Sequence, residues 1–430
     1  MDTPRRGTKL ALAVGYLCLA VAFVQAHRNP ATGYEASIYR ATPPSFWVGV
    51  VVASLAAIGV MVYTRDRTGL FGAALGLQTA SVMAVVTLPI TRGYTGYGQG
   101  DAMTHLGWMR SILSGEMTAF ELVYPGTHVS TIMVRTVTGM PIREAMLFAV
   151  ALFVLVYLLF VPLVVRFVVD DRVAVAVAVV AATTLIPVTN ISTYADYHPF
   201  TLATFVFPLV LYFLLRFVAE PTTGSGLSDL RTRAGKFVVF ALFVLVLLHP
   251  QVALDVLILA GTIAVAQRYS SWLPSTEGLR EGRRLLVPTV VATFLFGAWA
   301  LRYEVVTRMF GYVWTAVGEF WGTGGDTAGQ NVQQNSGSLS DIGVSLFEIF
   351  GKLFFVHFLF SVLAGLMVLG LVAGRLDRMR SQRNDVVTYF AYGAVTLTPF
   401  FLLHFIGNIS GYFFRHVGFA MVIVTILAAF

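Results

Sequence analysis

Residues 236–267 read KFVVFALFVLVLLHPQVALDVLILAGTIAVAQ, and the number of times this run crosses a bilayer decides the topology of everything around it. A hydrocarbon core of about 30 Å is crossed by roughly 20 helical residues, so the run is too long for one helix. His249-Pro250 stands near its middle, where proline removes a backbone donor and drives the residue before it out of the helical region. The stretch therefore predicts a hairpin of two short helices, 236 to 249 and 250 to 267, with its tip outward. Read as a single crossing, it would place the basic stretch from Arg268 to Arg284 outside, against the positive-inside rule.

Working outward from the hairpin, similar apolar runs occupy 8 to 26, 46 to 63, 69 to 91, 143 to 165, 172 to 190, 199 to 217, 284 to 301, 353 to 374, 386 to 406 and 411 to 430. With 57% hydrophobic and 12% charged residues, the composition is that of an integral membrane protein. The expected fold is all-α, one multi-pass membrane domain over 1–430 with about 12 transmembrane helices at the cell membrane. The first run is read as a span, because no small-residue cleavage site follows it. The last reaches Phe430 with no polar tail, which leaves open a helix ending at the surface or a longer chain. With the N-terminus cytoplasmic, 19 of the 29 Lys and Arg residues fall inside. The net charge of +7 is thus a topology signal, and no nucleic-acid partner is expected. Cys18 is the single cysteine, so no intrachain disulfide can form.

This orientation gathers the chemistry on the extracytoplasmic side. The loop from 92 to 142 is too long for a connector and carries Asp101, His105, Glu116, Glu121, Tyr124-Pro125-Gly126-Thr127 and His128. Ala102, Leu106, Met109, Ile112 and Leu113 recur at helical spacing, which predicts a membrane-surface helix over 101 to 114, and a second amphipathic stretch runs from Thr127 to Thr138. Asp101 and His105 are four residues apart and share a helix face. Asp196, Tyr197 and His198, the hairpin tip His249, His404 and the pair Arg415-His416 are external as well. Asp255 differs, because it falls inside an apolar run, where an ionisable side chain needs a partner or a function.

A span, an external loop that begins with an aspartate, two membrane-surface helices and a Tyr-Pro element before the next span resemble the GT-C superfamily of integral-membrane glycosyltransferases. The resemblance covers roughly residues 69–270. It implies a polyprenyl-phosphate-linked sugar as donor, a glycan, lipid or protein as acceptor, membrane lipids as surroundings, and a site on the extracytoplasmic face. In that family an acid in the first large external loop is the catalytic base or binds metal, and Asp101 matches it. His105 and the element from Tyr124 to His128 match more loosely. Two departures stand out: the acid follows the third span where the family usually has it after the first, and Ala102 stands where a second acid is common. The missing second acid weighs against metal dependence more than against the fold, and a divalent metal stays one option as cofactor.

The chemistry of such a transfer can be written from the residues alone. A lipid phosphate is a good leaving group, so the protein must take a proton from the acceptor hydroxyl and stabilise the departing phosphate. Asp101 is the expected base. Arg415, His416 and one of His105 and His249 are expected on phosphate oxygens, arginine being suited to bidentate contact. In-line displacement predicts inversion at the anomeric carbon. The expected site therefore has Asp101 and His105 as catalytic groups, with Tyr124, His128, Asp196, His198, His249, Arg415 and His416 around the substrate.

Each residue also has a structural reading. Asp101 stands where a helix N-cap would, Tyr124-Pro125 can fix a turn, and Glu116 and Glu121 suit a solvated connector. His249 can satisfy backbone groups at the proline break, and Arg415-His416 can anchor a helix at the interface. The external segment 303–341 has a centre rich in Gly, Gln, Asn and Ser and is expected to be flexible, after Phe310, Tyr312, Trp314, Phe320 and Trp321 in an interfacial belt. Asn190-Ile191-Ser192 and Asn408-Ile409-Ser410 match the glycosylation sequon. The chain has no zinc-type Cys/His spacing, Walker loop, GxSxG element or clear internal repeat. The competing classes are a secondary transporter or lipid-linked glycan flippase, for which Arg65-Asp66-Arg67-Thr68-Gly69 is a partial signature, and a surface-polysaccharide polymerase or ligase. A transporter would concentrate polar residues at mid-membrane, whereas here they crowd the outer surface.

Overall fold

A computed structural model describes residues 3–64, 68–97, 100–169, 171–184, 196–222, 224, 226–269, 282–323, 345–373, 381–406 and 413–429. These residues are almost entirely helical; no strand occurs among them, only an isolated bridge between Pro221 and Gly282. The chain falls into two compact units, one of residues 1–186 with 192–209 and the other mainly of residues 210–428.

The first unit contains α1 (Thr3–His27), α2 (Pro44–Tyr63), α3 (Thr68–Val86), α4 (Asp101–Ser114), α5 (Pro125–Thr138), α6 (Ile142–Val168) and α7 (Arg172–Thr184), with the opening turns of α8 (Pro199–Ala219). Helices α1 and α2 lie close because small residues line their contact. A Cβ added to Gly49 would sit 2.6 Å from the Cys18 carbonyl oxygen, and Ala22, Ala53 and Ala57 are fully buried. Leu10, Leu17, Val48, Val51 and Leu55 point outward. Small residues between helices with large apolar ones outside are the pattern of helices packed in lipid, where close van der Waals fit drives association.

The second unit holds the rest of α8, then α9 (Arg233–Leu248), α10 (Pro250–Arg268), α11 (Leu286–Ala300), α12 (Glu304–Thr323), α13 (Phe355–Val372), α14 (Ser381–Ile406) and α15 (Phe413–Leu427). The expected break at His249-Pro250 is present: His249 is extended, with φ −165° and ψ 121°, between α9 and α10. Near the other end of the pair, the buried Asp229 carboxylate accepts from the Thr222 hydroxyl (3.0 Å) and the Arg284 backbone N–H (3.1 Å). Arg283 pairs with Glu220 at 2.5 Å. These contacts close the connections on either side of α9 and α10 with charged and polar groups that the apolar pattern does not announce.

Each apolar run singled out in the sequence falls mainly on helix where its residues are described. Among the described residues, six helices are long and apolar enough to cross a membrane, fewer than the roughly 12 spans expected: Arg6–His27, Pro44–Tyr63, Thr68–Val86, Ile142–Val168, Pro199–Ala219 and Pro250–Arg268. A seventh span arises if Leu286–Ala300 and Glu304–Thr315, bent by 108°, count as one. Arg172–Thr184, Phe355–Gly370 and Arg415–Leu427 are shorter apolar helices. The segment from 303 differs from its reading as a loop, because α12 fills its first part. The remainder of that segment, both sequons and Arg65-Asp66-Arg67 lie outside the described residues.

Candidate functional site

The stretch of 92–142 contains two longer helices near the expected positions, α4 and α5. α4 is bracketed by Gly100 (φ 63°) and Gly115 (φ 80°), conformations that residues with a Cβ rarely adopt. Gly100, not Asp101, takes the N-cap position; Asp101 is the first helical residue, and no side chain caps this helix. The N-cap reading of Asp101 is therefore replaced by another contact. Its Oδ2 lies 3.6 Å from His198 Nε2, and the carboxylate side chain remains 64% exposed. His198 in turn is buried and meets Thr201 Oγ1 through Nδ1 at 3.2 Å.

Behind this pair sits a buried imidazole couple. His105 from α4 and His128 from α5 approach with Nδ1 and Nε2 3.0 Å apart, and His128 Nδ1 is 3.1 Å from the Tyr124 carbonyl oxygen. The rings of Trp108, Tyr124 and Tyr197 surround His105, with centroids 5.1, 6.2 and 5.8 Å away. Burial pushes His105 down to about 3, helped by His128 and His198, and pushes His128 down to about 4 against the raising effect of the Tyr124 carbonyl. Both imidazoles are neutral at physiological pH. Tyr197 is fully buried, and its hydroxyl meets Thr131 Oγ1 at 2.9 Å, so the strand of chain before α8 is tied to α5.

A second carboxylate joins the site from a different element. Asp196 is half-buried and accepts from the Tyr197 backbone N–H at 2.6 Å. Burial raises its pKa against the lowering effect of the Tyr197 N–H, and the charge of Asp101 adds to the rise. Asp196 therefore stands within electrostatic reach of Asp101. Among the described residues, no group of three or more His, Cys, Asp or Glu side chains has the arrangement of a metal cage.

Of the residues anticipated for the site, the fold brings together Asp101, His105, Tyr124, His128, Asp196 and His198. Glu121 instead closes a capping box with Thr118, and Glu116 accepts from Ser111 (3.1 Å). His249 and His416 belong to a separate polar cluster in the second unit. There His416 Nδ1 faces Asp255 Oδ2 at 3.5 Å, and Gln251 Nε2 lies 3.2 Å from His416 Nε2. The imidazole of His416 is thus the near neighbour of the buried Asp255 carboxylate, at ion-pair distance. His249 Nδ1 accepts from the Gln251 backbone N–H at 3.3 Å, capping α10. Arg415 is half-buried at the start of α15.

Several members were missed in the sequence. Thr131 lies one turn after Thr127 on the His128 side of α5, and Trp108 follows His105 by one turn; periodicity could have found both. Thr201 and Gln251 carry no such signal. Charge did hide one anchor in plain view: buried Arg92 binds Glu35 through both terminal nitrogens (2.7 and 2.6 Å) and the Asn29 carbonyl through Nε (2.9 Å), while the Tyr94 hydroxyl also reaches Glu35. This clamp ties the segment after α1 to the stretch that leads into Gly100. No protein family, curated protein or solved structure matches this chain.

Proposed function

We propose that the protein is a membrane glycosyltransferase of the GT-C kind, which moves a sugar from a polyprenyl-phosphate carrier to an extracytoplasmic glycan, lipid or protein acceptor with inversion. The observation that carries this reading is the exposed Asp101 carboxylate at the start of a surface helix, held beside His198 and backed by aromatic rings and neutral imidazoles. In the reaction Asp101 takes the proton of the acceptor hydroxyl. That oxygen forms a bond to the anomeric carbon as the bond from this carbon to the phosphate oxygen breaks, and the lipid phosphate leaves with the electron pair. His198 positions the carboxylate, and Asp196 lies close enough to accept a hydrogen bond from a sugar hydroxyl.

A neutral His105 contributes a lone pair rather than a positive charge, so phosphate binding is not assigned to it. A second reading, a proton-linked transporter, draws on the buried Asp255–His416 pair. The two are separated by comparing lipid-linked sugars in cells with and without the gene. The enzyme predicts that a sugar-charged polyprenyl phosphate accumulates and one glycan loses a residue; unchanged glycans would favour transport.

A further inference from the structure

The buried imidazole couple has a direction. A carbonyl oxygen can only accept, so His128 Nδ1, 3.1 Å from the Tyr124 oxygen, carries the proton. A neutral imidazole has one N–H, which leaves His128 Nε2 with a bare lone pair. The nitrogen 3.0 Å from it, His105 Nδ1, must therefore be the donor. His105 then has its own lone pair at Nε2. Among the described residues that nitrogen has no hydrogen-bond partner, although His105 is only 4% exposed.

We propose that His128 is a positioning residue that holds His105 in the Nδ1–H tautomer, and that His105 Nε2 accepts a hydrogen bond from a hydroxyl of the sugar-bearing substrate. The tautomer follows from the geometry alone, whereas the identity of the hydroxyl rests on the glycosyltransferase reading. An uncharged lone pair repels phosphate oxygens and selects an O–H donor, which a sugar supplies. Trp108 and Tyr124, both half-buried beside His105, offer ring surface to the C–H face of a pyranose. A substrate that lacked this hydroxyl would leave a buried acceptor unpaired, so the contact discriminates between sugars as well as orienting one.

The first limb of the test is ¹⁵N spectroscopy of the full chain in lipid nanodiscs with labelled histidine, the His105 and His128 signals being assigned by their loss in H105N and H128F. The expected result is an Nδ1–H tautomer at both positions and loss of that preference at His105 in H128F. A proton on His105 Nε2 overturns the proposal whatever the protein's reaction, and this wild-type measurement stands even if a variant folds poorly. The second limb uses cells lacking the gene, complemented at equal membrane abundance. H105N keeps an amide donor toward His128 and loses the outer acceptor; H105Q restores an amide oxygen at the outer position. Transfer should fall about 10- to 100-fold in H105N and be substantially recovered in H105Q. Equal transfer by the two, in cells where D101N fails, overturns the hydroxyl contact. If the deletion and D101N alter no glycan, the glycosyltransferase reading fails and takes the hydroxyl assignment with it, while the tautomer result stands separately.

Discussion

Asp101 and His198 meet at 3.6 Å although one opens a surface helix and the other stands just before a span. The contact joins the 92–142 segment to the start of α8, so the carboxylate is aimed by a helix end from another part of the chain. His198 is in turn held by Thr201. H198Q should therefore reduce glycan transfer by about tenfold, a smaller loss than that of the base itself, since general-base catalysis is worth about 10²- to 10⁴-fold. T201V should shift activity in the same direction by less. Product glycans quantified in complemented cells check both.

Acid should destabilise the first unit earlier than its carboxylates alone would. The folded-state values of His105 and His128, about 3 and about 4, lie below the ordinary value of 6.5. Between those limits the unfolded chain binds more protons than the folded one, so stability rises with pH and is lost as pH falls from 6.5 toward 4. Glu35 acts in the same sense at lower pH: the Arg92 hydrogen bond holds its carboxyl below 4.5, so its contribution is present above that value and is lost as pH falls through the folded value. Thermal unfolding in nanodiscs should show the midpoint falling below pH 6.5, and H105N combined with H128N should flatten the upper part of that dependence.

The Arg92–Glu35 clamp predicts a large single-site effect. Arg92 and Glu35 side chains are 3% and 16% exposed, so E35A strands a buried guanidinium. Removing one partner of such a pair costs about 3–5 kcal/mol. E35A should lower the unfolding midpoint, and E35Q should recover part of the loss through its hydrogen bonds. A wild-type midpoint in E35A would show that the clamp is dispensable.

G49A should loosen α1 against α2. The added Cβ would stand 2.6 Å from the Cys18 carbonyl and 2.8 Å from the Ala22 Cβ, both on a packed helix that must then move. Overpacking of this kind costs about 1–3 kcal/mol. G59A, where the added atom meets nothing within 4 Å, serves as the control. Denaturation in mixed micelles should separate the two.

Local chemistry explains which features the sequence disclosed. Gly100 and Gly115 bracket an amphipathic period, so α4 coincides with its expected limits of 101 and 114; α5 starts at Pro125, ahead of the expected Thr127, because proline is well suited to a first helical turn. His249-Pro250 announced its break for the same reason. By contrast, the contacts of Asp101 with His198 and of Arg92 with Glu35 join separate chain segments, and neither periodicity nor turn chemistry encodes such pairings. The assignment of Asp101 as an N-cap failed because a glycine one residue earlier took that place. The expected count of about 12 spans is not confirmed by helix length: six described helices, or seven with the bent pair, are long and apolar enough, while α9 has 16 residues, short of the roughly 20 that a bilayer asks of an untilted helix.

The most direct test of the central claim is D101N. Cells lacking the gene are complemented with wild type or D101N at equal membrane abundance, and glycoprotein and lipid-linked glycans are compared by mass spectrometry. Asn keeps the size of the side chain and removes its basicity. The account predicts that D101N fails as the deletion does, with an unconsumed sugar-charged polyprenyl phosphate accumulating. Full restoration of every glycan by D101N would contradict the assignment of Asp101 as the base.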